Sequence, residues 1–260
     1  MQDRTAIIDT AHALADAARD AILPHFRTRL GTDNKLAGGF DPVTEADRAA
    51  ERAMRDILGQ RRPDDAILGE EYGTQPGTSG LTWVLDPIDG TRGFISGTPT
   101  WGVLIGVADH SGPVYGLIDQ PYIGERFEGG WRRASLTGPR GVKPLAVRDT
   151  GDLAQATLMT TFPEVGTTDD AAAFRRVAAR VRLTRYGMDC YAYALLALGH
   201  VDLVIEAGLQ PYDIAAPLAV VQAAGGIVTD WQGGSAASGG RVIAAATPAL
   251  HRAALDLLNG

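Results

Sequence analysis

Two carboxylates bracketing a proline, directly after an apolar run, are where this 260-residue chain could do chemistry: Trp83-Val84-Leu85-Asp86-Pro87-Ile88-Asp89-Gly90-Thr91. Two negative charges a few ångströms apart repel strongly in anything less polar than water, so a cation is expected between them. Pro87 biases Asp86 toward extended backbone, and a tight turn over residues 88–90 would bring Asp86, the Ile88 carbonyl and Asp89 to one point. Three oxygen donors on one loop suit a hard cation. Gly90 tolerates backbone angles closed to other residues. The N–H groups beyond it, with the Thr91 hydroxyl, could form an anion-binding nest beside the cation. The same residues also make an ordinary turn at the end of a strand.

Other acids stand in comparable places. Ala66-Ile67-Leu68-Gly69-Glu70-Glu71 is a second short apolar run that delivers carboxylates at its end. Val201-Asp202-Leu203-Val204-Ile205-Glu206 is a third, and Gly208-Leu209-Gln210-Pro211-Tyr212 leads from it to Asp213, which opens an apolar helical run through Ala224. Asp213 could be merely an N-cap. Thr44-Glu45-Ala46-Asp47 reads equally as a helix-start box, which would give Asp47 a structural task.

Taken in order, Gly69-Glu70-Glu71, Asp86-Pro87-Ile88-Asp89-Gly90-Thr91, Tyr212-Asp213-Ile214-Ala215 and Ala223-Ala224-Gly225-Gly226 resemble the motifs of the magnesium-dependent, lithium-sensitive phosphatases typified by inositol monophosphatase. The match spans most of the chain. Tyr212 stands where the family usually has Trp, an aromatic swap that preserves packing. The resemblance implies the layered αβαβα sandwich of the inositol monophosphatase/fructose-1,6-bisphosphatase superfamily, an α+β half joined to an α/β half, as a homodimer. It also implies that Glu70, Asp86 and the Ile88 carbonyl hold one Mg²⁺, that Asp86, Asp89 and Asp213 hold a second, and that Glu70 shares a third, weaker ion. The implied reaction is hydrolysis of a phosphate monoester by in-line attack of a metal-activated water. Glu70, and Thr91 paired with Asp47, are expected to orient that water and take its proton.

Substrate choice points to Arg185-Tyr186-Gly187-Met188-Asp189-Cys190-Tyr191-Ala192-Tyr193, which precedes the Glu206 strand. With Gly90-Thr91-Arg92 and Gly208-Leu209-Gln210-Pro211-Tyr212-Asp213, this segment resembles the histidinol-phosphate phosphatase branch of the family. Histidinol phosphate carries an ammonium group, for which Asp189 and Glu206 are charge-matched partners. The expected substrate contacts are Asp89, Gly90 and Thr91 in the loop, with Arg185, Asp189 and Glu206. The structural alternative has Asp189 capping the next helix and Glu206 pairing with an arginine such as Arg185. Inositol phosphates, 3′-phosphonucleotides and a noncatalytic metal or sugar-phosphate binder are the competing functions. Arg92 and Trp101 flank the loop and could meet an imidazole or a phosphate, and Lys35 in the Gly-rich segment 35–40 could reach metal or phosphate. Cys190 reads as buried packing and not as a nucleophile. The five histidines are scattered without zinc-ligand spacing.

Composition narrows the class. One cysteine excludes an intrachain disulfide framework, and no apolar run approaches the roughly 20 residues of a membrane span. A net charge of −7 without a basic cluster argues against nucleic acid. The N-terminus reads as amphipathic and not secretory, so the expected compartment is the cytoplasm.

The elements that must position these residues follow from periodicity. Ile7, Ile8, Ala11, Leu14, Ala15, Ala18 and Ile22 predict a first long helix, and Ala50, Ala53, Met54, Ile57 and Leu58 stripe a second over 44–58. Strands are predicted at 66–69, 81–85, 101–108, 114–119 and 125–129. After them come a strand at 158–161, a helix at 169–181, a strand near Leu183, a helix at 191–198, a strand at 201–206, the helix after Asp213, strands at 226–230 and 241–246, and a helix at 248–258. Helices followed by a meander give an α+β half, 1–150. Alternating strands and helices give an α/β half, 151–260, with the boundary near 148–153 and the metal site between the halves. The Gly- and Ser-rich 233–240 is read as a surface loop.

Overall fold

The helical spacing at the start of the chain is realised in α1 (Arg4–Ile22), which buries Ile7, Ala11, Leu14, Ala15, Ala18 and Ile22 along one side. This is a computed structural model that describes residues 4–28, 33–34 and 42–260; Lys35 lies outside them. The short strands β1 (Asp33–Asn34) and β2 (Pro42–Val43) pair antiparallel and lead into α2 (Glu45–Arg61). Thr44 and Asp47 form the expected helix-start box.

A sheet follows: β3 (Ala66–Gly69), β4 (Gly73–Gln75), β5 (Thr82–Asp89), then the short helix α3 (Thr91–Ser96), β6 (Gly102–Asp109), β7 (Gly112–Gln120), β8 (Glu125–Gly130), β9 (Arg133–Gly138) and β10 (Gly141–Pro144). Its eight strands run in the order β10-β9-β8-β7-β6-β5-β3-β4, antiparallel except for β3 beside β5. The sequence reading foresaw neither β4, β9 and β10 nor α3. The edge strands β4 and β10 are short, exposed throughout and carry no apolar alternation to find.

The second sheet is built from β11 (Thr157–Thr160), α4 (Thr168–Ala178), β12 (Leu183–Tyr186), α5 (Tyr191–Ala197), β13 (Leu203–Leu209), α6 (Pro211–Ala223), β14 (Ile227–Asp230), β15 (Gly240–Ala245) and α7 (Pro248–Asn259). Its order is β12-β11-β13-β15-β14, with β12, β11 and β13 parallel and β15 antiparallel to both β13 and β14. Helix α4 stops at Ala178, three residues short of the predicted end, and α6 starts at Pro211, two residues before Asp213.

Three cores define five layers. One unites α1 and α2 with Val103, Ile105 and Val107 of the large sheet. A second joins Leu104, Ile118 and Phe127, from that sheet's other face, to α5, α6 and Val204, Val242 and Ala244 of the small sheet. A third packs α4 and α7 on the small sheet's outer face. The result is the expected αβαβα sandwich. With both faces of the large sheet covered, β6 reads as a nearly continuous apolar run. Helix α6, between two sheets, is buried on every side from Ile214 through Val221.

How closely α6 approaches is set by glycine. Gly106, Gly116 and Gly129 lie side by side on β6, β7 and β8. A Cβ on them would come within 2.8 Å of Ala215 Cβ, 2.2 Å of the Ala216 carbonyl oxygen and 2.7 Å of Val220 Cα, respectively. Mid-strand glycines of this kind mark close approach of another backbone, and this one carries Asp213 toward the end of β5.

The α1 layer is tied to the sheet by charge. Asp119 on β7 is fully buried and accepts hydrogen bonds from Arg19 of α1 at 2.7 and 3.2 Å and from Arg126 Nε at 2.8 Å. Leaving two guanidiniums without their shared carboxylate is costly, so Asp119→Ala should lower unfolding stability by about 3 kcal/mol. Urea denaturation measures it; a loss under about 1 kcal/mol would mean that the cluster contributes little.

Candidate active site

Asp86 and Asp89 are brought together by a bulge and not by the turn expected from the loop sequence. Residues three apart in a regular strand face opposite sides. On β5, however, Asp86 lies opposite Leu104 and Asp89 opposite Gly102, so two residues face one between those pairs. The extra residue resets the alternation. Pro87 sits within the bulge, where the ladder does not need its missing N–H. Gly90 then adopts a left-handed conformation, φ 85°, as N-cap of α3, and the Thr91 hydroxyl donates to the Ile88 carbonyl at 3.1 Å.

Because β3 runs parallel to β5 with Gly69 beside Leu85, the two acid-bearing strands end at the same edge. The Glu70 N–H donates to the Leu85 carbonyl at 3.1 Å, which sets Glu70 next to Asp86. Asp213 comes from the other side, at the start of α6. Its Oδ2 accepts the Gln210 N–H at 2.7 Å, so it does serve the helix start. It also joins Asp86 and Asp89, each offering a carboxylate oxygen, with the three oxygens within 4.8 Å of one another.

Burial holds the Asp86 carboxyl well above the usual carboxylate range, and the charges of Glu70, Asp89 and Asp213 add to the effect. Burial also raises Asp89, followed by Asp189 and Asp213, against the Cys190 N–H that donates to its Oδ2 at 2.6 Å. Asp86 Oδ1 is buried without a hydrogen-bond partner among the described residues. An all-oxygen cluster of mutually repelling acids with an unsatisfied oxygen is a site that could hold a metal ion.

Beside it opens a cavity of about 260 Å³ whose wall includes Asp89, Thr91, Arg92, Asp189, Glu206 and Asp213. Glu206 is buried and accepts three hydrogen bonds: Thr161 N–H at 2.7 Å, Thr161 Oγ1 at 3.0 Å and Thr160 Oγ1 at 3.1 Å. Burial nevertheless pushes it up to about 7, against those donors. Asp189 has a left-handed backbone, φ 46°, and is raised to about 6 by burial, against a hydrogen bond to Thr100 and the charge of Arg92. A Cβ on Gly90 would lie 2.7 Å from Asp189 Cγ.

Comparison with known proteins agrees with this geometry. The pattern of the inositol monophosphatase family matches residues 3–259. The chain belongs to the inositol monophosphatase family. It is 42% identical over 269 residues to the bifunctional phosphatase IMPL2, chloroplastic, of Arabidopsis thaliana, covering 99% of this chain and 75% of that one. It is 34% identical to a histidinol-phosphatase of Mycobacterium tuberculosis, covering 96% of both. The solved structure of an inositol monophosphatase from Zymomonas mobilis superposes with a TM-score of 0.88 at 41% identity over 100% of both chains. This member of the family is a phosphoric monoester hydrolase.

Within this inositol monophosphatase family fold, several residues singled out by sequence fall elsewhere. Glu206 does not pair with Arg185 but with the two threonines. Arg185 stands exposed on the outer strand β12, away from the cavity wall. Trp101 is buried among Phe26 and Phe94, at ring distances of 5.2 and 5.0 Å, and is core. Arg92 does reach the cavity, its guanidinium 4.8 Å over the Phe162 ring. Cys190 is buried, its thiol pushed up by burial, and its backbone N–H is what serves the site. Asp47 is buried and its Oδ2 accepts the Thr44 N–H at 2.8 Å and the Thr44 hydroxyl at 2.5 Å.

Sequence reasoning missed Thr160, Thr161 and Phe162. A signal existed: β11 ends at Thr160, Thr161 follows directly, and the strand precedes the acid-bearing β13, but only the parallel pairing of β11 with β13 puts the two threonines at Glu206.

No helix among the described residues is long and apolar enough to cross a membrane.

Proposed function

We propose that this phosphatase hydrolyses L-histidinol phosphate to L-histidinol with Mg²⁺, in histidine biosynthesis in the cytoplasm. The observation that carries this reading is the pair of acids, Asp189 and Glu206, on the wall of the same cavity as Asp89 and Asp213. Carboxylates can accept from the hydroxyls of a polyol, but an ammonium group is matched by them in charge as well, the stronger kind of contact. The histidinol-phosphatase relative at 34% identity supports the same choice.

Glu70, Asp86, the Ile88 carbonyl, Asp89 and Asp213 would hold two or three Mg²⁺ ions. The fit rests on the all-oxygen donor set and on the buried, unsatisfied Asp86 Oδ1. Bound there, Mg²⁺ supplies positive charge for the phosphate and leaving oxygens and lowers the pKa of water. The chain's own residues do the rest. Thr91, anchored on the Ile88 carbonyl, and Asp47 orient the attacking water, and Glu70 accepts its proton. Asp89, Gly90 and Thr91 border the phosphate, while Asp189 and Glu206 bind the amino end. The chain is expected to assemble as a homodimer. Sedimentation giving a monomer at micromolar concentration would refute the dimer.

The second reading, a broader inositol-phosphate phosphatase, is favoured by the inositol monophosphatase structure at 41% identity. Phosphate release from L-histidinol phosphate and myo-inositol 1-phosphate, with magnesium and with chelator, separates the two. About a hundredfold higher kcat/KM for histidinol phosphate, near 2.7 kcal/mol of transition-state discrimination, is expected. Equal or reversed rates would transfer the assignment to inositol phosphates.

A further inference from the structure

A fully buried carboxylate of α2 lies under the turn that carries Glu70, yet it belongs neither to the acid cluster nor to the cavity wall. This is Glu51. Its Oε2 accepts the Glu71 N–H at 2.7 Å, and its Oε1 accepts the Tyr72 N–H at 3.2 Å and Arg55 Nε at 2.8 Å. Arg55 in turn donates to the Gly73 carbonyl, so one ion pair grips residues 71–73 by two N–H groups and one C=O. On the other side of Glu70, Gly69 leaves no space. A Cβ there would lie 2.0 Å from Glu51 Oε1 and 2.9 Å from an Arg55 guanidinium nitrogen. The Glu70 N–H is itself fixed on the Leu85 carbonyl. Glu70 is thus held from the residue before it, at its own N–H and from the two residues after it.

Burying a charge in this place is expensive unless every oxygen is used, and Glu51 spends both oxygens on backbone donors of this turn. We infer that Glu51 is a positioning residue: it locks the turn at 70–73 so that the Glu70 carboxylate stays directed at Asp86 and is preorganised for a cation. Outer partners that orient metal ligands carry about 10–100-fold in metal affinity. The inference rests on Glu70 being a metal ligand.

The test is Mg²⁺ binding to the full chain by isothermal titration calorimetry, with folding followed by circular dichroism. Glu51→Gln puts an NH₂ against the turn's N–H donors. It should raise the Mg²⁺ dissociation constant at least tenfold, with kcat recovering to within a few-fold at saturating Mg²⁺, because Glu51 does not touch the reacting atoms. Asp65→Asn is the control. Asp65 is also buried and accepts the Trp83 indole N–H at 2.8 Å and Arg62 Nε at 2.6 Å, but it holds no part of the turn. It should lose stability and keep Mg²⁺ affinity within twofold. A folded Glu51→Gln with unchanged affinity, or equal losses in both variants, would overturn the inference. If Glu51→Gln does not fold, Arg55→Met decides: at least a threefold loss of affinity is expected, and an unchanged affinity overturns it. Glu70→Gln separates the two levels, since unchanged Mg²⁺ affinity in that variant would remove the ligand assignment itself, whatever Glu51 does.

Discussion

Replacing Asp86 by Asn should lower kcat/KM by at least about a thousandfold, some 4 kcal/mol of transition-state stabilisation, while the metal-free protein melts no lower than the wild type. The two halves of this result have one cause. Asp86 is buried and surrounded by Glu70, Asp89 and Asp213, and burial followed by those charges disfavours its ionised form. In chelator, a neutral isostere removes the source of repulsion and loses no hydrogen bond from Oδ1, which has none among the described residues. With Mg²⁺ present the order should reverse. Wild type gains stability by mass action on the folded state, and the variant, short of a ligand, gains less. Thermal melts with chelator and with Mg²⁺, alongside turnover, check both halves. Undiminished phosphate release from the variant would sink the metal assignment, and a large loss of melting temperature in chelator would mean that Asp86 is a structural carboxylate.

Glu206→Gln should cost about a hundredfold in kcat/KM on L-histidinol phosphate and less than threefold on myo-inositol 1-phosphate, because only the first ester carries a positive charge for Glu206 to meet. The pH dependence follows from the sign of its shift. Burial raises Glu206 to about 7, with Asp189 adding to the rise and Thr161 and Thr160 opposing it; the buried Tyr193 hydroxyl, the other titratable group felt there, stays protonated. Below about 7 Glu206 is neutral and offers an ammonium group no charge. The wild-type ratio of kcat/KM for the two esters should therefore climb as pH rises through about 7 and then level. Taking the ratio cancels titration of the phosphate and of the metal ligands, which both esters share. In Glu206→Gln the change through about 7 should disappear, leaving only the smaller change near 6 that Asp189 and the substrate imidazole contribute. Stability moves the other way: a carboxyl with a raised folded-state pKa contributes fully below its unfolded value and loses that contribution as pH climbs through about 7. Glu206→Gln should then be more stable than wild type at pH 8. A wild-type ratio that does not change with pH would return Glu206 to packing alone.

The two predictions draw on different levels of legibility. The Asp86-Pro87-Ile88-Asp89-Gly90-Thr91 stretch can be picked out from residue types alone, because a proline, a glycine and two carboxylates within six positions restrict both backbone and charge. The first helix was equally plain, its apolar residues repeating at helical spacing, and so was the capping box at Thr44 and Asp47. What could not be read was how Asp86 and Asp89 meet. A bulge exists only relative to a partner strand, and the register of β5 against β6 is a property of the pair.

Glu51 shows the same limit from the side of charge. It stands one residue from Ala50 and three from Met54, at the edge of the apolar stripe of α2, where a glutamate ordinarily faces water. Its burial comes from a turn twenty residues later in sequence, with N–H groups that need acceptors. Arg185 shows the limit from the other side: an arginine beside a predicted site residue looks like a contact, but it stands exposed on β12, the outer strand of its sheet, and does not line the cavity.

The sequence by itself therefore determined the chemistry on offer: acids at the ends of apolar strands, a glycine that turns, a cysteine with nothing to activate it, and the helical and strand periods of most elements. Tertiary structure decided which acids share a space. Parallel pairing put Glu70 beside Asp86, three adjacent glycines let α6 bring Asp213 down onto the sheet, and β11 delivered two threonines to Glu206. The division is physical. Backbone preference and hydrophobic period act over a few residues and are written locally, whereas a metal or substrate site needs charges from distant segments held a few ångströms apart, and only the packed cores supply the force that holds them there.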